Sequence, residues 1–361
     1  MTVILLFSGL VFLIIGAEVL VRGASRIAGG IGISPLVIGL TIVAFGTSSP
    51  ELAVSIKSAL SGQANIALGN VVGSNIFNVL FILGLAALII PLRVSRQLIR
   101  MEIPLMIGVS AMVLFFAMDQ MISRFDGWIL FAGLAGYIGF LIYKNRKNDI
   151  TTSNSGQKFT SDKNKNGKTR WSLNIAMVIG GLILLVIGSR WLVDSAVTFT
   201  KYLGVSELVI GLTIIAAGTS LPEVVTSVIA AIRGERDIAV GNVVGSNIFN
   251  IMGVLGLAGI IAPAGIEVSE ALYHFDIPIM IAVAFGCLPI FFTGGIISRW
   301  EGGLLLSYYV AYTLFIILAA TKHETLPMFN TVMLYFVIPI TVITIIIIAV
   351  RELRGNKSQV E

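Results

Sequence analysis

The chain has 361 residues, 56% hydrophobic and 12% charged, with a net charge of +5; soluble domains run at roughly 45–50% apolar and ~25% charged, so a soluble globular fold is excluded. One cysteine, Cys287, and two histidines, His274 and His323, exclude an intrachain disulfide and argue against a zinc cluster. The basic surplus falls in short loops between apolar runs and not in one basic domain, which points to anionic lipid and away from nucleic acid.

Apolar runs near the roughly 20 residues that a bilayer-crossing helix needs recur along the whole chain. In order they predict eleven spans, at 3–23, 34–60, 65–90, 101–118, 126–143, 172–193, 206–232, 237–262, 275–293, 300–320 and 327–350. Met1-Thr2-Val3 offers no basic n-region, so the first run is expected to stay as a span and not to be removed as a signal peptide. Residues 144–171 are rich in Lys, Asn, Ser and Thr with almost nothing apolar to bury, and are expected to form a polar, mobile linker. The expected units are 1–143, the linker 144–171, a second unit 172–320, and 321–361 with the last span and a polar tail.

The 24 Lys and Arg residues test the orientation. With the linker on the cytoplasmic side, 19 of them fall inside and only Lys57, Arg124, Arg190, Lys201 and Lys322 fall outside. That asymmetry predicts an integral protein of the cytoplasmic membrane with its N-terminus outside and its C-terminus inside.

Two polar stretches interrupt the apolar runs, and both occur twice. Gly39 to Glu51, ending Gly46-Thr47-Ser48-Ser49-Pro50-Glu51, returns as Gly211 to Glu223, ending Gly218-Thr219-Ser220-Leu221-Pro222-Glu223. Ile66 to Asn78, containing Gly69-Asn70-Val71-Val72-Gly73-Ser74-Asn75-Ile76-Phe77-Asn78, returns as Ile238 to Asn250 at the same offset of 172 residues. Each unit holds five spans, an odd number, so the second copy enters the membrane the other way up. The expected fold is an all-α polytopic membrane protein: an inverted-topology repeat of five plus five transmembrane helices with one extra C-terminal helix. The eleventh span is Ile-rich, has no ionisable residue and no counterpart, and is expected to face lipid or another protomer.

Pro50 lacks an N–H and clashes with the carbonyl four residues back, Gly46, so the second span should break there, and Pro222 should break the seventh. Carbonyls freed at the break, around Ala44 and Ala216, need protein, water or a cation in hydrocarbon. Beside them stand the hydroxyls of Thr47, Ser48, Thr219 and Ser220 and the carboxylates of Glu51 and Glu223. Ser74 with Asn78, and Ser246 with Asn250, are four apart and so share a helix face, adding two hydroxyls and two amide oxygens. An oxygen-only set with a formal charge of −2 suits hard cations such as Ca²⁺ and Na⁺ as transported substrates. A Pro-kinked helix whose Ser and Thr bond their own backbone is the plain structural reading of one copy. Two copies, each with a mid-span carboxylate, favour an ion path instead.

The remaining polar positions have structural readings. Gly69-x-x-x-Gly73 and Gly241-x-x-x-Gly245 predict close helix contact, and Asn70, Asn75, Asn242 and Asn247 interhelical hydrogen bonds. Glu18 with Arg22, and Arg190 with Asp194, are spaced for i,i+4 ion pairs with the signs swapped. Glu102, Asp276 and Glu207 stand near helix N-termini, where a carboxylate is favoured.

The paired Gly-Thr-Ser-x-Pro-Glu and Gly-Asn-Val-Val-Gly-Ser-Asn-Ile-Phe-Asn segments resemble the two alpha-repeats of the sodium/calcium exchanger family, prokaryotic type, within the cation/calcium antiporter superfamily. The resemblance covers roughly residues 1–320. It implies a ten-helix inverted-repeat core with ion sites at the midplane, no cofactor, and alternating access in which the first and sixth spans slide across the rest. It also implies a ligand set of Glu51, Glu223, Thr47, Ser48, Ser74, Asn78, Thr219, Ser220, Ser246 and Asn250 with the carbonyls of Ala44 and Ala216. Where some relatives carry Asp, this chain has the neutral Asn250, which argues against potassium coupling. The implied function is exchange of Na⁺ for Ca²⁺; a Ca²⁺/H⁺ or other cation antiporter on the same scaffold is the alternative. A channel would need a symmetric filter. An intramembrane enzyme would need a base near the serines, and no mid-span His or Lys supplies one.

Overall fold

The computed structural model describes residues 2–31, 33–154, 171–202, 216–292 and 295–344. Helix α1 (Thr2–Ile31) is followed by a bent pair, α2 (Pro35–Thr47) and α3 (Ser49–Leu60), then α4 (Ala64–Ile89), α5 (Leu98–Asp119) and α6 (Arg124–Asn154). After residue 170 come α7 (Trp171–Tyr202), a single turn at Ala216–Gly218, α8 (Leu221–Ile232), α9 (Arg236–Ile261), α10 (Leu272–Phe291), α11 (Arg299–Ala320) and α12 (Leu326–Thr344). Nine helices among the described residues are long and apolar enough to cross a bilayer, and the bent pair α2–α3 makes a tenth. The expected span 206–232 is described only from Ala216 onward. The fold is an all-helical polytopic membrane protein. α6 runs on as helix to Asn154, so the stretch expected as linker begins as a continuation of the fifth span.

The core is made by the helices that carry the second repeated block. In their most apolar windows, 72% of α4 and 83% of α9 is buried, against none of α12, which lies on the outside as its composition predicts. α1 and α7 cross antiparallel through glycines. A Cβ on Gly9 would stand 2.8 Å from the Gly188 carbonyl oxygen, and one on Gly16 2.9 Å from that of Gly181. In lipid, where burial of apolar surface gives no drive, such small residues let backbones approach and gain dispersion.

Contacts between the two halves come in reciprocal pairs. Gly9 with Gly188 is matched by Gly181 with Gly16, the same contact with each residue replaced by its counterpart 172 positions away. Two antiparallel bridges of two residues each are related in the same reciprocal way, at slightly longer offsets of 174 and 175 residues: β1 (Leu92–Arg93) pairs with β4 (Ile296–Ile297), and β2 (Met121–Ile122) pairs with β3 (Ile266–Glu267). The starts of α6 and α11 are matched too. Ser123 N–H and Oγ donate to Asp126, and Ser298 N–H and Oγ donate to Glu301.

The expected Glu18–Arg22 ion pair is present at 2.6 Å, and Arg233 also bonds Glu18 from the end of α8. Arg190 and Asp194 form no such bridge among the described residues. Their i,i+4 spacing permits a pair but adds little at an exposed position. Glu207 lies outside the described residues.

Candidate ion-binding site

The bend between α2 and α3 is 47°, and it falls where Pro50 predicts it. Ser48 sits at the break with φ −81° and ψ 8°, and Ser220 repeats this before α8 with φ −89° and ψ 8°. Pro50 and Pro222 occupy the first turn of the following helix, where a missing N–H costs nothing. Glu51 and Glu223 therefore lie in first turns whose unpaired N–H groups favour negative charge. The expected release of the Ala44 carbonyl is not seen. It accepts the Ser48 N–H at 3.0 Å and the Thr47 hydroxyl at 3.4 Å, because Pro50 deprives Gly46, not Ala44, of its i+4 donor. Ala216 opens the turn before the second break.

The second block supplies the opposing wall. Asn78 and Asn250 each begin a π-helical segment, Asn78–Leu83 and Asn250–Leu255, a widening of the helix that recurs at functional sites. α9 reaches α2 through its glycines: a Cβ on Gly245 would be 2.7 Å from Leu40 Cα, and one on Gly241 3.0 Å from the Leu36 oxygen. This is the close contact that the Gly241–Gly245 spacing predicts. The corresponding neighbours of Gly69 and Gly73, residues 208–215, lie outside the described residues.

The helices that carry these residues pack against one another. Thr47, Ser48, Glu51, Ser74, Asn78, Ser220, Glu223, Ser246 and Asn250 are buried, and Thr219 is half-buried. The two carboxylates are held crosswise: Ser220 Oγ donates to Glu51 Oε1 at 2.7 Å, and Ser48 Oγ to Glu223 Oε1 at 2.9 Å. Ser220 Oγ also lies 3.3 Å from Ser74 Oγ, and Thr47 Oγ1 donates to Asn242 Oδ1 at 3.1 Å. Six further oxygens are buried with no hydrogen-bond partner: Glu51 Oε2, Glu223 Oε2, Thr219 Oγ1, Ser246 Oγ, Asn78 Oδ1 and Asn250 Oδ1. Orphaned buried polar atoms cost about 1–3 kcal/mol each, more when charged, so a cluster of them calls for a counter-charge. Among the described residues no three of His, Cys, Asp and Glu converge, so the cluster is hydroxyl, amide and carboxylate oxygen. That donor set suits a hard cation.

The four asparagines read from sequence as hydrogen-bonders do bond between segments. Asn70 Nδ2 donates to Ser55 Oγ and to the Glu51 carbonyl, and Asn242 Nδ2 to Ser227 Oγ, both hydroxyl contacts at 3.0 Å. Ser55 and Ser227 were not among the expected residues. They were legible, since each follows its glutamate by four and they keep the common offset.

Broken helices that meet inside a polytopic bundle around a buried all-oxygen cluster define a membrane transporter of cations. The sodium/calcium exchanger protein family matches residues 1–143 and 173–318, and this chain belongs to that family. It is a membrane antiporter, not an enzyme. The inner membrane protein YrbG of Escherichia coli (strain K12) is 37% identical over 286 residues, covering 79% of this chain and 87% of that one. The sodium/calcium exchanger MaX1 of Methanosarcina acetivorans is 36% identical over 339 residues, covering 86% and 96%. The solved structure of the sodium-calcium exchanger NCX_Mj superposes with a TM-score of 0.72 at 29% identity, covering 86% of this chain and 96% of that one.

Proposed function

We propose that this antiporter exchanges Na⁺ for Ca²⁺ at the cluster between the two breaks, by alternating access across the cytoplasmic membrane. The observation that carries the reading is the set of orphaned buried oxygens on the two repeated blocks, Glu51 Oε2 and Glu223 Oε2 among them. Two carboxylates balance one Ca²⁺ or a small number of Na⁺ ions, and competition for one cage is the physical basis of exchange. The ligands are Glu51 and Glu223 with the hydroxyls of Thr47, Ser48, Ser74, Thr219, Ser220 and Ser246, the amide oxygens of Asn78 and Asn250, and, at the margin, the carbonyls of Ala44 and Ala216. The Ala44 oxygen has a lone pair to offer when the Thr47 hydroxyl turns to Asn242 and leaves the Ser48 N–H as its one donor.

The scaffold of this site is an inverted repeat of five plus five helices. Reciprocal contacts support it, and so do the bridges, which join the loop after α4 to the loop before α11, and the loop after α5 to the loop after α9. The basic residues support an N-terminus outside and a C-terminus inside. Ca²⁺ uptake into proteoliposomes, followed with ⁴⁵Ca²⁺ at fixed pH, tests the function: an outward Na⁺ gradient should drive uptake. Uptake indifferent to Na⁺ but driven by a pH gradient would overturn the sodium reading in favour of Ca²⁺/H⁺ antiport.

A further inference from the structure

A neutral amide is a two-faced ligand. Its oxygen attracts a cation and its NH₂ repels one, and the two ends have nearly the same size and shape. Asn78 and Asn250 can serve the cluster only if something fixes which end faces it.

The structure contains such a fixture on each side. Asn75 Nδ2 donates to the Asn247 backbone oxygen at 3.3 Å, and Asn247 Nδ2 donates to the Asn75 backbone oxygen at 3.3 Å. The same two nitrogens also point at sulfur, Met280 Sδ at 3.6 Å and Met106 Sδ at 3.5 Å. A backbone oxygen and a thioether sulfur accept and never donate, so both amides must present NH₂ on that side. Their oxygens are thereby turned to the other side. There Asn247 Oδ1 accepts Asn78 Nδ2 at 3.0 Å, and Asn75 Oδ1 accepts Asn250 Nδ2 at 3.2 Å. With its NH₂ engaged, each of Asn78 and Asn250 is left with a buried oxygen that meets no donor. Polarity passes from fixed acceptors through one asparagine to the next, and each relay crosses from one half of the molecule to the other.

We propose that Asn75 and Asn247 are positioning residues that set the polarity of the cation site: Asn247 orients the Asn78 amide and Asn75 orients the Asn250 amide. The inference rests on the ion-site reading above. It goes beyond a helix-crossing clamp, because a clamp requires only the two bonds to backbone oxygen and is indifferent to which way Asn78 and Asn250 point. Removing the Oδ1 of Asn247 lets the Asn78 amide turn over and present NH₂ to the cation.

A double-mutant cycle separates the two roles. Equilibrium ⁴⁵Ca²⁺ binding to purified protein is measured for Asn247→Leu with native Asn78 and again in the Asn78→Asp background. A carboxylate has two equivalent oxygens and no wrong orientation. The inference expects Asn247→Leu to weaken binding up to about tenfold beside native Asn78, the upper end for the loss of one neutral hydrogen bond. In the Asn78→Asp background it should weaken binding less than about twofold. The relay is also specific in its pairing: Asn75→Leu should be relieved by Asn250→Asp and not by Asn78→Asp. Equal penalties in both backgrounds, or relief by either carboxylate alike, would overturn the positioning role and leave a clamp. An unchanged affinity in Asn247→Leu would overturn it as well. Each variant is compared by thermal melting and gel filtration, and one that fails to fold is replaced by Asn247→Ser in the same cycle. Absence of ⁴⁵Ca²⁺ binding by the unsubstituted protein is a distinct result: it would overturn the ion-site reading and the inference with it.

Discussion

The hydroxyl of Ser220 donates to Glu51 Oε1 at 2.7 Å, joining residues 169 apart in sequence. With Ser48 on Glu223 at 2.9 Å, it means that each carboxylate is steadied by the break of the other half. Ser220→Ala leaves Glu51 free to turn and removes one hydroxyl from the cluster. A hydrogen bond to a charged group is worth about 1.5–3 kcal/mol, so cation affinity should fall roughly tenfold or more. Titration of bound ⁴⁵Ca²⁺ with Na⁺ checks both ions, and the weakening should be greater for Na⁺ than for Ca²⁺. Unchanged affinity for both would remove Ser220 from the site.

Glu51→Gln and Glu223→Gln should each abolish Ca²⁺ transport while leaving a folded, monodisperse protein. The substitution keeps shape but takes one of two formal charges from a buried cage, a loss of several kcal/mol for a divalent ion. Proteoliposome flux and thermal melting read the two effects separately. Full transport by either variant would take that residue out of the cage.

Much of this was legible because the decisive chemistry is local. Pro50 and Pro222 cannot continue a helix that runs up to them, and a mid-span Glu beside Thr-Ser marks the break as polar. Other features depend on pairings across the molecule. No spacing in the sequence says that Ser220 faces Glu51 and not Glu223, or that Asn247 faces Asn78. The Ala44 carbonyl keeps its i+4 donor, Ser48 N–H, because the proline removes the donor of Gly46, two residues further on. The bridge of Leu92–Arg93 with Ile296–Ile297 is two residues long, too short to leave a strand pattern. Lys144 to Asn154 read as linker from polarity alone, yet a helix can leave the apolar layer and continue in its own hydrogen bonds.

The glycine crossing of α1 and α7 should be intolerant of a single methyl group. In Gly16→Ala or Gly181→Ala the new Cβ would stand 2.9 or 2.7 Å from a backbone oxygen, which no rotamer can relieve. Destabilisation of about 1–3 kcal/mol is expected. Gly139→Ala is the control, at an exposed position where the new methyl meets nothing described within 4 Å beyond its own helix turn. Thermal melting in detergent should lower the midpoint for the first two and not for the control. Equal midpoints for all three would mean that the crossing has room for a methyl group.

The sidedness proposed from charge is tested by labelling, with the bridges saying which loops share a side. In a Cys287→Ala background, Ser155→Cys should react with an impermeant maleimide only from the cytoplasm and Ser269→Cys only from outside. Ser269 is exposed in the loop held to the end of α5 by the pairing of Met121–Ile122 with Ile266–Glu267. Gln120→Cys should therefore label from the same side as Ser269→Cys. Labelling of Ser155→Cys and Ser269→Cys from one side would break the inverted-repeat proposal.

Na⁺ and Ca²⁺ should compete and not add. Glu51 and Glu223 supply a charge of −2, so several Na⁺ together with Ca²⁺ would leave a net positive charge in a region of low dielectric, where like charges a few ångströms apart repel strongly. Raising Na⁺ should therefore displace bound ⁴⁵Ca²⁺ completely, with a steep dependence on Na⁺ because more than one ion is needed to replace a divalent one. If more than two Na⁺ move for each Ca²⁺, every cycle also carries net charge across the membrane, worth about 2.3 kcal/mol per 100 mV per elementary charge. An inside-negative potential would then favour Na⁺ influx and Ca²⁺ efflux. Clamping the voltage of proteoliposomes with a potassium gradient and valinomycin, at fixed Na⁺ and pH, separates this term from the concentration term. A Ca²⁺ flux that responds to Na⁺ but is indifferent to voltage would fix the exchange at two Na⁺ per Ca²⁺, the ratio at which the charge of the cage is the same with either cargo.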